Sequence, residues 1–258
     1  MDSSRTFAAA LGAAALVALP GCAVLAERQL DFTDTEAVKI TEITIAPGSG
    51  DIVIRTGPVS AVRIKREVRY RGDEPGATYR IDGAVLAVET DCGRQCSVSY
   101  DILAPEGVSV RGENGSGDLE LTDVSAIDVT VGSGDITVIR PSGAVTARTG
   151  SGDIRLVDAA GGVSARTGSG SIDAHGLGRS RVDAETGSGD ITLGLTSPAD
   201  VRAHASSGSI ELTVPSAGYR VAVTTGSGSR NVDVTHEPAG AHLLELETGS
   251  GDVTVRRR

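Results

Sequence analysis

Three aspartates, Asp118, Asp135 and Asp153, stand at matched places in three consecutive copies of a Gly-Ser-Gly-Asp tetrad. If the copies stack as neighbouring coils, their carboxylates come to about 5 Å apart. Like charges so close repel unless they are solvated, hydrogen-bonded or bridged by a cation. Outside the cell the natural bridging ion is calcium, which takes carboxylate and carbonyl oxygens. These three residues are therefore the candidate metal ligands. Two features weigh against calcium. Ser171, Ser209 and Ser229 interrupt the series at the same place in later copies. The calcium-binding nonapeptide also repeats its aspartate on both edges of a coil. The favoured reading is that each aspartate accepts a backbone N–H within its own turn, and no metal or other cofactor is expected.

The three cysteines divide by context. Cys92 and Cys96 enclose only Gly93-Arg94-Gln95, and in an oxidising compartment such a pair is a disulfide. A zinc site would need a second pair, and the nearest histidine is His175. Cys22 ends a different pattern. The apolar run Phe7–Leu19 has the length of a signal peptide's hydrophobic region and is too short to span a bilayer. It leads into Leu19-Pro20-Gly21-Cys22, which matches a lipobox: an aliphatic residue, a small residue, then the cysteine that receives a diacylglycerol. The expected organisation is a lipoprotein signal peptide over 1–21, with Cys22 as the lipidated residue and 22–37 as a tether. No other apolar stretch approaches the ~18 residues that cross a membrane, so the membrane is a partner through the lipid.

Catalytic motifs are missing. There is no G-x-S-x-G elbow, H-E-x-x-H pair or phosphate-binding glycine loop. The four histidines, His175, His204, His236 and His242, read as solvated surface residues. No catalytic residue is assigned. Net charge is −10 and aromatic content 2%, with no Trp. That sign opposes phosphate neutralisation, and the stacking platforms of single-strand binders are missing, so nucleic acid is not a partner.

The elements that position the aspartates follow from the repeat. The tetrad or a close variant starts at 48, 115, 132, 150, 168, 187, 206, 226 and 249. Five residues before it stand Val110, Ile127, Val145, Val163, Val182, Val201, Val221 and Leu244. Four after its start stand Leu119, Ile136, Ile154, Ile172, Ile191, Ile210 and Val253. In the copy at 226 the apolar residues are taken to be shifted, to Val232 and Val234. Polar residues such as Arg148, Arg166, Glu185 and His204 alternate with the apolar ones, which is the period-two pattern of half-buried strands. Each copy is thus a strand, a glycine-rich turn, a strand and a second turn. So short a unit cannot bury its own apolar face, and stacking supplies the core. The fold class is all-β, a repetitive β-solenoid over 112–258 with an irregular N-terminal β cap over 38–111. The alternative is an antiparallel β meander with each tetrad as a hairpin loop. Strands are expected in the cap at 42–46, 52–55, 61–70, 84–90 and 97–103. The charged tail Arg256-Arg257-Arg258 would hinder edge-to-edge pairing.

Taken together, "IAPGSGDIVI" at 45–54, the Cys92/Cys96 pair, "YDILAPEGVSV" at 100–110 and the serial "TGSGDI" turns resemble the DUF4097 family of bacterial β-strand-repeat proteins, described as candidate adhesins. The resemblance implies a right-handed β-helix-like fold and an envelope location, and it brings no catalytic residues. The expected function is that of a non-enzymatic cell-envelope lipoprotein. It would be adhesin-like or a structural binding scaffold, extracytoplasmic and lipid-anchored, meeting an unknown envelope or surface partner. A polysaccharide-active β-helix enzyme, which would need paired carboxylates, and an accessory protein in envelope-stress signalling are the alternatives.

Overall fold

The computed structural model describes residues 27–258. The N-terminal part holds β1 (Arg28–Glu36), β2 (Glu42–Ala46), β3 (Ile52–Gly57), β4 (Val62–Tyr70), β5 (Tyr79–Asp82), β6 (Val85–Glu89) and β7 (Cys96–Pro105). The repeats follow as strand pairs on either side of a tetrad. They are β8 (Ser109–Ser116) with β9 (Leu119–Thr122), β10 (Ile127–Ser133) with β11 (Ile136–Ile139), and β12 (Val145–Ser151) with β13 (Ile154–Val157). Next come β14 (Val163–Ser169) with β15 (Ile172–Leu177), β16 (Val182–Ser188) with β17 (Ile191–Leu195), and β18 (Val201–Ser207) with β19 (Ile210–Val214). The last are β20 (Tyr219–Ser227) with β21 (Arg230–Val232), and β22 (His242–Ser250) with β23 (Val253–Arg257).

Each pair sends one strand into each of two sheets, of 12 and 11 strands. Within the repeats, neighbours are parallel and in register, so like residues meet: Val145 pairs with Val163, Ala147 with Ala165 and Ile154 with Ile172. This is the solenoid and not the meander; antiparallel pairing is confined to β1 with β4, β4 with β7, and β5 with β6. Strand alternation turns the aliphatic rows inward, and Ile136, Ile154, Leu156, Ile191 and Leu193 are buried. Facing them, the row Ala147, Ala165, Ala184 and Ala203 is also buried, and these small side chains let the two sheets approach without aromatic bulk.

The N-terminal part differs from expectation. The tether expected over 22–37 is interrupted by β1, which pairs along its whole length with β4. Nor is 38–111 an irregular cap. β2 with β3 and β6 with β7 are two further coils, stacked in parallel on one another and on β8 with β9. Only β1, β4 and β5 close the end. Between their sheets the Arg66 guanidinium lies 4.6 Å from the centre of the Phe32 ring and 4.9 Å from that of Tyr79. It also donates to Asp34 at 2.9 Å and to Thr78 Oγ1 at 3.0 Å. Signal peptide and lipobox lie outside the described residues.

Chain order and stacking order disagree at both ends. The sheets read β7-β3-β9 and β6-β2-β8 at one end, and β19-β23-β21 and β18-β22-β20 at the other. The first coil in the chain is therefore second in the stack, and the last coil in the chain lies beneath the one before it. In the row that contains Ile52, Ile136 and Val253, the outermost coil at each end contributes a residue that is not aliphatic: Tyr100 beside Ile52, with Arg66 of β4 beyond it, and Arg230 beside Val253.

Candidate functional site

The tetrads lie against one another along one edge of the stack. The second glycine turns the corner: Gly152 has φ +142°, and a Cβ there would strike the carbonyl oxygen of Gly134 in the neighbouring coil. Only glycine combines that backbone with so close an approach. Just inside the corner, Thr149, Thr167 and Thr186 donate their hydroxyls to the carbonyls of Gly134, Gly152 and Gly170 at 3.0, 2.9 and 2.8 Å. Asn114 does the same for Gly50 at 3.0 Å. The signal for these threonines in the sequence is the Thr that recurs directly before the tetrad in "TGSGD".

Outside the corner lies the aspartate row, and its bonding corrects the expected one. Each aspartate accepts the N–H of its counterpart in the next coil, not an N–H of its own turn. Asp51 Oδ1 accepts from Asp118 at 3.0 Å, Asp118 Oδ1 from Asp135 at 2.9 Å, Asp135 Oδ1 from Asp153 at 2.8 Å, and Asp153 Oδ1 from Ser171 at 2.7 Å. The serines do not break the series. Ser171 Oγ accepts from Asp190 at 3.2 Å, Asp190 Oδ1 from Ser209 at 2.8 Å, Ser209 Oγ from Asp252 at 3.3 Å, and Asp252 Oδ1 from Ser229 at 2.7 Å. Ser99 Oγ begins the row by accepting from Asp51 at 3.1 Å. One oxygen in each coil thus satisfies a backbone donor that the turn would leave open. The structure places Asp118, Asp135 and Asp153 side by side, as the spacing predicted. Among the described residues no group of three or more His, Cys, Asp or Glu side chains is arranged to hold a metal ion.

The opposite edge has a row of its own. Asp123, Arg140, Asp158 and Gly176 occupy the left-handed region, with φ of 60°, 50°, 57° and 70°. Arg140 makes two bonds of 2.8 Å to the carboxylate of Asp123. That bond and the charges of Asp123 and Asp158 push its pKa above the ordinary arginine value. The outward faces carry charged rows. Arg166 lies beside Arg148 and bonds Glu185 at 3.0 Å, while Arg148 turns to Asp128 at 3.2 Å. Arg202 meets Glu245 at 2.7 Å. Such exposed pairs contribute ~0–1 kcal/mol each; they order the face more than they stabilise the fold.

Cys92 and Cys96 are disulfide-bonded, with Cα atoms 5.4 Å apart. Their loop takes the place of the tetrad between β6 and β7. The four histidines are dispersed. His175 pairs with Asp173 at 2.6 Å, His204 lies 3.7 Å from Glu247, and His242 lies 3.7 Å from Asp200. His236 Nδ1 accepts the N–H of Val221 at 3.0 Å.

Two sheets, built coil on coil and linked along one edge by side chains, define a β-solenoid of strand-turn-strand units. The chain belongs to the Toastrack DUF4097 family, whose model matches residues 33–256. A candidate adhesin from Bacteroides fragilis NCTC 9343 shares the fold, with a TM-score of 0.50, 14% identity, and coverage of 89% of this chain and 97% of that one. A candidate cell adhesion protein from Clostridium sporogenes ATCC 15579 aligns over 90% of this chain and 100% of its own, at 13% identity and a TM-score of 0.34. No curated protein matches the chain.

Proposed function

We propose that this chain is a non-enzymatic, adhesin-like lipoprotein of the cell envelope, held at the membrane by lipid on Cys22 and displaying the rod to a partner. The observation that carries the reading is the pair of outward faces. On one of them, register pairing from β12 to β22 lays Arg148, Arg166, Glu185, His204 and Glu247 in one continuous row. A long regular face suits binding by many weak contacts, and the description of the Bacteroides protein as a candidate adhesin agrees with this. Export and lipidation rest on the sequence of the first 22 residues.

Two measurements test it. The full chain and a Cys22→Ser variant are expressed in a bacterial host fed a labelled fatty acid. Label on the membrane fraction of the parent only is the expected result; equal behaviour of both removes the anchor. Binding of the purified exported chain to isolated cell-wall polymer and to whole cells is then compared with Arg148→Glu/Arg166→Glu. Saturable binding weakened by the double reversal supports display. Absence of binding to either surface removes the adhesin-like role.

A further inference from the structure

We infer that Arg230 decides which of the last two coils lies inside the stack and which ends it. The other order would lose exposed pairs such as Arg202 with Glu245, which contribute ~0–1 kcal/mol each; among the rows that line the core and the corner, only that of Arg230 discriminates strongly. In the first sheet Val201 pairs with Leu244 and Leu244 with Val221, so either residue fits beside Val201. The row of alanine positions likewise offers Leu246 or Val223 beside Ala203. Just inside the corner both coils present the same residue type. Thr248 donates to the Gly208 carbonyl at 2.8 Å and Thr225 to that of Gly251 at 2.9 Å. In the outer row, Asp252 and Ser229 are both residue types that this row accepts elsewhere, at Asp153 and Ser171.

The second sheet discriminates. There Ile210 pairs with Val253, and Val253 with Arg230. In simple chain order Arg230 would lie between Ile210 and Val253, in a row where both are buried. A guanidinium without an ion partner is strongly disfavoured in such a place. In the observed order Arg230 is exposed, and its Nη1 reaches across the end of the stack to the Val223 carbonyl at 3.4 Å. The aliphatic pair Val253 and Val255 fills the buried slot. Arg230 therefore also blunts the last coil, as a charged residue at a sheet edge does.

Cysteine cross-linking in the full chain reads the order. Arg202 is the in-register neighbour of Glu245, and Glu245 of Ala222. Adjacent strands lie ~4.8 Å apart, within disulfide reach, and next-nearest strands lie outside it. In the parent, Arg202→Cys/Glu245→Cys should cross-link and Arg202→Cys/Ala222→Cys should not, as read by peptide mass without reduction. Adding Arg230→Ile with Val253→Arg should reverse this, making the 202–222 link the main product. If the doubly exchanged chain keeps the 202–245 link and lacks the 202–222 link, the inference fails. Should that chain not fold, Arg230→Ile alone must yield a 202–222 product that Arg230→Lys does not; its absence overturns the inference equally.

Discussion

Asp118 holds the backbone N–H of Asp135 at 2.9 Å, although the two residues belong to different coils. The bond joins one repeat to the next, so the tetrad couples neighbours as well as turning the chain. Both residues are exposed, and water can replace part of what a substitution removes. Asp135→Ala should lower stability by about 0.5–1.5 kcal/mol. Asp135→Ser should be close to neutral, since Ser171 and Ser209 do the same work in their coils. Urea midpoints of the three proteins decide; a serine variant as weak as the alanine variant would show that the bond is not what stabilises.

Calcium should leave the melting temperature unchanged, because one oxygen of each of Asp118, Asp135 and Asp153 is already committed to an amide. Melts with calcium and with chelator test this. A ligand that binds only the folded state raises the midpoint with its concentration, so a calcium-dependent rise lost in Asp135→Ala would make the row a metal site.

Two glycines should respond in opposite ways to alanine. At Gly152 the φ of +142° and the collision with Gly134 act together, and the loss should exceed about 3 kcal/mol. At Gly162 the nearest atom to an added Cβ is the Arg181 carbonyl oxygen at 3.8 Å, an ordinary contact. There Gly→Ala should be neutral or stabilise by about 0.4–1 kcal/mol by narrowing the unfolded ensemble. Comparable losses at both sites would contradict the close approach of coils at the corner.

Removing the Cys92–Cys96 bond by Cys92→Ser/Cys96→Ser should cost about 2 kcal/mol, the loop-entropy estimate for so short a ring. Because the loop sits near the closed end, protection of backbone amides in β12 to β17 from hydrogen exchange should persist. Loss of protection throughout the rod would mean that the loop supports more than its own coil.

Alkaline pH should loosen the N-terminal end. Burial, then donation to Glu36, pushes the Tyr79 pKa up from 10.0 to about 12. With the folded value raised, Tyr79 contributes its full stability below the unfolded pKa near 10. That contribution is lost as pH rises through about 12. Melting temperature should fall across this window, and Tyr79→Phe should make the fall shallower. Tyr100 and Tyr219, also raised by burial, leave a residual slope. An unchanged slope in Tyr79→Phe would remove Tyr79 as a cause.

Over 112–258, strands, coils, inward rows and the adjacency of the aspartates were legible in the sequence. They depend on a period-two alternation and on an apolar face that one short unit cannot bury alone, as Val145, Ala147, Ile154 and Leu156 repeat coil after coil. The residues in matched register could be named before any coordinate was known except in the copy at 226, where Arg230 and Val232, not Val232 and Val234, align with Val253 and Val255. Three matters were decided only by tertiary structure. The partner of each aspartate is an amide in the next coil, a bond that no local turn geometry contains. Arg28–Glu36 lacks the apolar alternation of the repeats, yet it becomes β1 by pairing with β4, whose free edge exists only after folding. Equivalent coils carry no label for their place in the stack, so periodicity is silent on order. At the C-terminal end that order follows from where the assembly can tolerate the residue that breaks the pattern, Arg230.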